Sequence, residues 1–191
     1  MDDALDDHIL RILEAANALE TDGDRLRSKV PVASLDRELF LHSAYPTDAC
    51  DAVFFGPDTY RFVAFVRQHL HLLRQCDHVV DMGTGTGAGG ILVAKWVNPR
   101  RVSVVDTNAA GLRMAAINSA AAGVSIEVVE SDAIPNANAV IANPPYIMDP
   151  ASRAYRDGGE LFGGAVALDW EKQGLQRLGP GGTALLYKGA A

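Results

Sequence analysis

The chain has 191 residues, 48% of them hydrophobic and 21% charged, and carries a formal net charge of −7. That length supports one well-buried core with a small appendage, and the acidity argues against non-specific attraction to nucleic acid. No apolar run approaches the roughly 20 residues of a membrane span, the acidic start is unlike a secretory signal, and Cys50 and Cys76 show no ligand or redox spacing. The cytoplasm is the expected location, with no membrane partner.

Leu5, Ile9, Ile12, Leu13, Ala16 and Leu19 are spaced as the apolar stripe of an amphipathic helix that closes near Asp22-Gly23. Packing is its expected role and substrate recognition the alternative. Arg25, Arg27 and Lys29 read as a solvated basic face. Residues 30–42 alternate on both sides of Asp36-Arg37, which predicts a β-hairpin. Residues 1–46 are therefore expected to form a helix-plus-hairpin unit that could recognise substrate, ahead of a main domain over 47–191.

Pro57-Asp58-Thr59 suits the first turn of a helix, and Phe62, Val66, Leu70 and Leu73 give it an apolar stripe. His69 and His71 face different ways and lack a third ligand, so no metal site is expected.

Residues 79–90 organise the rest. A β-branched run ends in Asp81 and opens into Gly83-Thr84-Gly85-Thr86-Gly87, after which residues 91–97 read as a helix. This is the strand, tight loop and helix of a first α/β crossover, whose amides suit an anionic or polar ligand group. Gly85, Gly87 and Gly90 also fit a dinucleotide pattern, so a nicotinamide cofactor competes at this point.

Residues 101–106 form a second buried strand ending in Asp106, followed by Thr107, a helix over 109–122 and Gly123. An acid there, roughly 20 residues past the glycine loop, is placed for ribose hydroxyls of either cofactor. A third strand over 124–129 leads to Asp132-Ala133. A fourth over 139–142 delivers Asn143-Pro144-Pro145-Tyr146, where two prolines stiffen the backbone beside the expected crevice. A polar, glycine-rich loop over 153–164, a helix over 166–178, a turn at 179–182 and a fifth strand over 183–187 complete the reading. The fold class is thus α/β: a doubly wound, mainly parallel sheet of order 3-2-1-4-5.

The run Asp81-x-Gly83-x-Gly85-x-Gly87 resembles the first motif of class I S-adenosylmethionine-dependent methyltransferases. Acid-then-small at Asp132-Ala133 resembles their adenine-contacting motif. From Phe54 to Lys188 the chain resembles the glutamine N5-methyltransferases that modify peptide-chain release factors. The resemblance rests on Pro57-Asp58-Thr59, the glycine loop, Asp106, Asn118 and Asn143-Pro144-Pro145-Tyr146-Ile147.

It implies S-adenosyl-L-methionine as cofactor, held by Thr59, Asp81, Gly83, Thr84, Gly85, Gly87, Asp106, Thr107, Asp132, Ala133 and Asn143. Asn143, Pro144, Pro145 and Tyr146 become the catalytic residues, with Tyr146 stacking on the target. The implied partner is a protein substrate such as a translation factor, with nucleic acid as the other acceptor class.

Two departures stand out. Only some fifty residues precede Phe54, fewer than the family's helical recognition domain, and Arg156-Asp157-Gly158-Gly159-Glu160 replaces its acid-proline phrase. Class I methyltransferases usually have seven strands, whereas five are countable here. Strand five would be an open edge, which leads us to expect a shortened carboxyl end or a second chain covering it.

Overall fold

The computed structural model describes residues 7–45, 47–147 and 157–188. Residues 153–156 of the expected polar loop lie outside the described residues, as do residues 1–6 of the acidic start, Leu5 among them.

The first helix, α1, covers Asp7–Ala15, and two antiparallel hairpins follow it. The first pairs β1 (Leu19–Asp22) with β2 (Arg25–Ser28), and the second pairs β3 (Val32–Leu35) with β4 (Glu38–Leu41). The structure therefore corrects the helix expected to reach Leu19. Asn17 adopts φ 51° just after α1, and Gly23 at φ 60° turns a hairpin instead of capping a helix. Arg25 and Arg27 sit on β2, where Arg27 pairs across the strands with Glu20 at 2.5 Å.

The second hairpin matches the expected one. Asp36 and Arg37 take φ 50° and 71°, the left-handed pair that suits a two-residue turn. Glycine is dispensable there because Trp96 Nε1 donates to Asp36 Oδ2 at 2.6 Å and Arg67 pairs with Oδ1 at 2.5 Å. These contacts also hold the Asp36 carboxyl below its usual pKa, the Trp96 bond being the larger cause.

Helix α2 (Pro57–Gln68) leads through a 3₁₀ turn to β5 (His78–Met82), and α3 (Ala88–Val97) to β6 (Arg101–Asp106). Then come α4 (Ala109–Ala122), β7 (Glu127–Glu130), β8 (Ala137–Ala142), the short α5 (Glu160–Gly163), α6 (Ala165–Arg177) and β9 (Leu178–Leu186). Helix α3 begins three residues earlier than its apolar run suggests. Strand β7 starts three residues later than expected, because Val124 lies just past the αL cap of α4 at Gly123 and bonds back to Ser119.

The five-stranded sheet runs β7-β6-β5-β8-β9, all neighbours parallel, which is the expected 3-2-1-4-5 order. Ala137 pairs with Leu178 but Ala139 with Thr183, so Gly179-Pro180-Gly181-Gly182 bulges out of register. The expected turn is thus carried inside β9. Among the described residues, no strand pairs with the outer side of β9.

Alternate residues of the central strands serve opposite faces. Val79, Ala139 and Ile141 pack with Ile91, Leu92, Phe62, Val66 and Phe40, while Val80, Met82, Val105 and Val140 face Ile134 and Trp170. No helix among the described residues is long and apolar enough to cross a membrane.

The β3–β4 hairpin is tied to the sheet by buried Asn118 of α4. Its side chain accepts from Leu41 N at 2.8 Å, and donates to Leu41 O at 3.2 Å and Thr86 O at 2.9 Å.

Candidate active site

Parallel order reverses at β5, and the carboxyl ends of β5, β6 and β8 open onto a cavity of about 590 Å³. That is within the roughly 300–1,000 Å³ of small-molecule sites, at the switch point where α/β sheets bind ligands. Thr59, Asp81, Gly83, Thr84, Gly85, Asp106, Thr107, Asp132, Asn143 and Pro145 all line it. Gly87, Ala133, Pro144 and Tyr146 do not reach its surface.

The glycine loop is fastened from within. Gly83 N and Thr84 N donate to Val105 O, and Gly87 N donates to Thr84 O. Gly85 N donates to Asp106 Oδ2 at 2.8 Å, and Gly90 N to Asp81 Oδ2 at 2.8 Å. These five amides are satisfied by the fold. Within the first turn of α3, the Gly90 amide is answered by Asp81, at the end of the helix that a pyrophosphate would need.

The loop glycines answer different steric demands. A Cβ at Gly83 would lie 2.4 Å from Cη2 of Trp170, so that residue is glycine to admit the indole. At Gly85 a Cβ would meet nothing nearer than Val53 Cγ1 at 4.0 Å, leaving its cavity side open. Both have positive φ, 67° and 53°.

Asp81 is 1% exposed. Burial pushes its carboxyl up to about 6, against the opposing bonds from Thr84 Oγ1 and Gly90 N. Burial also raises Asp106, whose Oδ1 accepts from Asn108 N at 2.9 Å. With Asp132, Asp157 and Asp169, five aspartates line the cavity, and no lysine, arginine or histidine does among the described residues. Such a cavity favours a cationic ligand and opposes a pyrophosphate. No described group of His, Cys, Asp or Glu has the arrangement to hold a metal ion.

Asn143 directly follows β8, and its Oδ1 is buried without a hydrogen-bond partner among the described residues. A buried oxygen left unpaired costs stability unless a ligand completes it. Tyr146, two residues past Pro144, turns its hydroxyl away from the cavity to donate to the Asp58 carboxylate on α2. That bond is the main cause that raises the phenol to about 12.

Sequence reasoning missed one wall. Val166, Asp169, Trp170 and Gln173 of α6, spaced i, i+3, i+4 and i+7, all line the cavity. Gln173 fixes this face: its Oε1 accepts from Ile134 N at 2.8 Å, and its Nε2 donates to Asp132 O at 3.4 Å and Asp169 Oδ2 at 2.7 Å.

A parallel sheet of this order, with an acid-lined crevice at its switch point, is the class I methyltransferase architecture. Residues 64–167 match the methyltransferase small domain family, and the chain belongs to it. S-adenosyl-L-methionine is accordingly its cofactor, and the nicotinamide alternative falls.

The chain is 26% identical over 178 residues to the release factor glutamine methyltransferase of Deinococcus radiodurans, covering 85% of this chain and 63% of that one. It is 35% identical over 121 residues to the corresponding enzyme of Mycolicibacterium smegmatis, covering 50% and 42%. It is 30% identical over 115 residues to ribosomal RNA small subunit methyltransferase C of Ectopseudomonas mendocina, covering 51% and 34%. The chain thus spans less than two thirds of each of these relatives. In fold it is similar to a methyltransferase from Pyrococcus furiosus, with a TM-score of 0.56 at 17% identity over 73% of this chain and 70% of that one.

Proposed function

We propose that this protein is an N-methyltransferase acting on a planar NH₂ group, and that the acceptor is a glutamine side-chain amide in a protein. The observation that carries the reading is the buried, unpartnered Oδ1 of Asn143 at the mouth of β8, beside the glycine loop. The residues present fit the cofactor. The cavity is large enough, its carboxylates match a cation, and Gly85 leaves an open approach.

When bound, the cofactor supplies an electrophilic methyl group on a sulfonium. The protein's own residues do the rest. An amide nitrogen is a poor nucleophile because its lone pair is delocalised. Asn143 Oδ1 accepts one N–H and the Pro144 carbonyl the other, which orients the nitrogen and stabilises the positive charge it gains as the N–CH₃ bond forms and the S–CH₃ bond breaks. A neutral thioether leaves and the surplus N–H proton passes to water. The two prolines hold both acceptors still. Asp106 takes the ribose hydroxyls and Asp132 the adenine amine. Thr59, Thr84, Gly85 and Thr107 complete the surroundings, Gly87 and Ala133 lie behind that lining, and Asp81 holds the loop in shape.

The release factor methyltransferases among the relatives support a protein acceptor, as does the net charge of −7. The ribosomal RNA relative supports a second reading, an exocyclic amine of a nucleic acid. Incubating the protein and isotope-labelled S-adenosylmethionine with a cell lysate, then locating the label by mass spectrometry, tests both. Label on the side-chain amide nitrogen, Nε2, of glutamine in protein is expected. Label confined to RNA or DNA bases would overturn the acceptor assignment.

A further inference from the structure

The α6 face has no role in the mechanism above, yet it forms one side of the cavity. Trp170 is half-buried, with one edge of its indole seated on Gly83 and the remainder lining the cavity. Asp169 and Asp132 lie on the same side, joined through Gln173. Because Gln173 also bonds Ile134 N, this face is fixed to the segment after β7 and does not hang free. An aromatic face flanked by carboxylates, with no basic side chain lining the cavity among the described residues, is suited to a cation.

We propose that Trp170 is a cofactor-contacting residue whose indole, with the Asp169 carboxylate beside it, recognises the positive charge of S-adenosylmethionine and so discriminates it from the uncharged thioether product. This rests on the cofactor reading above. It goes beyond that reading in assigning α6 to the site and in predicting which of the two ligands is held more tightly.

The chain has two tryptophans, and the other, Trp96, is held by Asp36 away from the cavity. A Trp96→Phe variant therefore reports on Trp170 alone. Its emission should change saturably as S-adenosylmethionine is added, with the dissociation constant found by calorimetry. Calorimetric binding with unchanged emission would overturn the proposal, whereas no calorimetric binding would overturn the cofactor reading beneath it.

Trp170→Ala should weaken S-adenosylmethionine about tenfold and S-adenosylhomocysteine markedly less. Trp170→Phe, which keeps an aromatic ring in the packing, should fall between wild type and alanine. Equal weakening of both ligands in the phenylalanine and alanine variants would show that the indole does not read charge, and the proposal would fail.

Discussion

The Tyr146 hydroxyl donates to the Asp58 carboxylate across 88 residues of sequence. The bond joins the loop that carries Asn143 to the first turn of α2, one residue before cavity-lining Thr59. With its phenol pushed up to about 12, Tyr146 stays a neutral donor throughout the working pH range. Both side chains are half-buried, so Tyr146→Phe should cost about 1 kcal/mol of stability in urea unfolding. In a double-mutant cycle with Asp58→Ala, the two losses should be less than additive.

Asn143→Ala should abolish turnover while leaving the cofactor dissociation constant nearly unchanged. Loss of one transition-state hydrogen bond costs about 3 kcal/mol, a hundredfold or more in rate. Because Oδ1 has no partner among the described residues, the same variant should melt at or above the wild-type temperature. Scanning calorimetry checks the second half; a drop of several degrees would show that Asn143 serves the fold.

Asp106→Ala should show the opposite pattern. It removes the proposed ribose acceptor and also frees the Gly85 amide it holds at 2.8 Å. A cofactor dissociation constant raised about tenfold, read by calorimetry, is expected from losing a hydrogen bond to a charged group.

Asp81 sets a pH dependence. Its folded-state pKa is raised to about 6 from 3.8, so the folded chain holds a proton that the unfolded chain has released. Its contribution is full below about 4 and is lost as pH rises through 6, a fall of about 3 kcal/mol. Urea unfolding between these pH values should show the Asp81→Asn variant losing less stability than wild type. Parallel slopes would remove Asp81 as the source.

The centre of the sheet was legible because β5, β6 and β8 are largely buried on both faces and read as apolar runs. Residues 101–106 and 109–122 were even bounded correctly, since Asp106, Asn108 and Gly123 punctuate them. The β1–β2 hairpin was not legible. Its strands, Leu-Glu-Thr-Asp and Arg-Leu-Arg-Ser, bury nothing and carry no alternating pattern. Ten of the expected site residues meet in one cavity, because strand ends in a parallel sheet converge.

Trp170 escaped notice because an aromatic on an amphipathic helix looks like any packing residue. Only the missing Cβ of Gly83, 87 positions earlier, explains its placement. The Tyr146–Asp58 bond was hidden for the same reason, the partner lying on a distant helix.

Asn118 bonds the backbone of β4 on one side and the Thr86 carbonyl of the glycine loop on the other. One buried amide thus acts as a rivet between the amino-terminal arm and the rim of the cavity. Neither can shift by an ångström without breaking or carrying the other. An arm that looks like an attachment is, mechanically, a brace for the cavity that Thr86 lines.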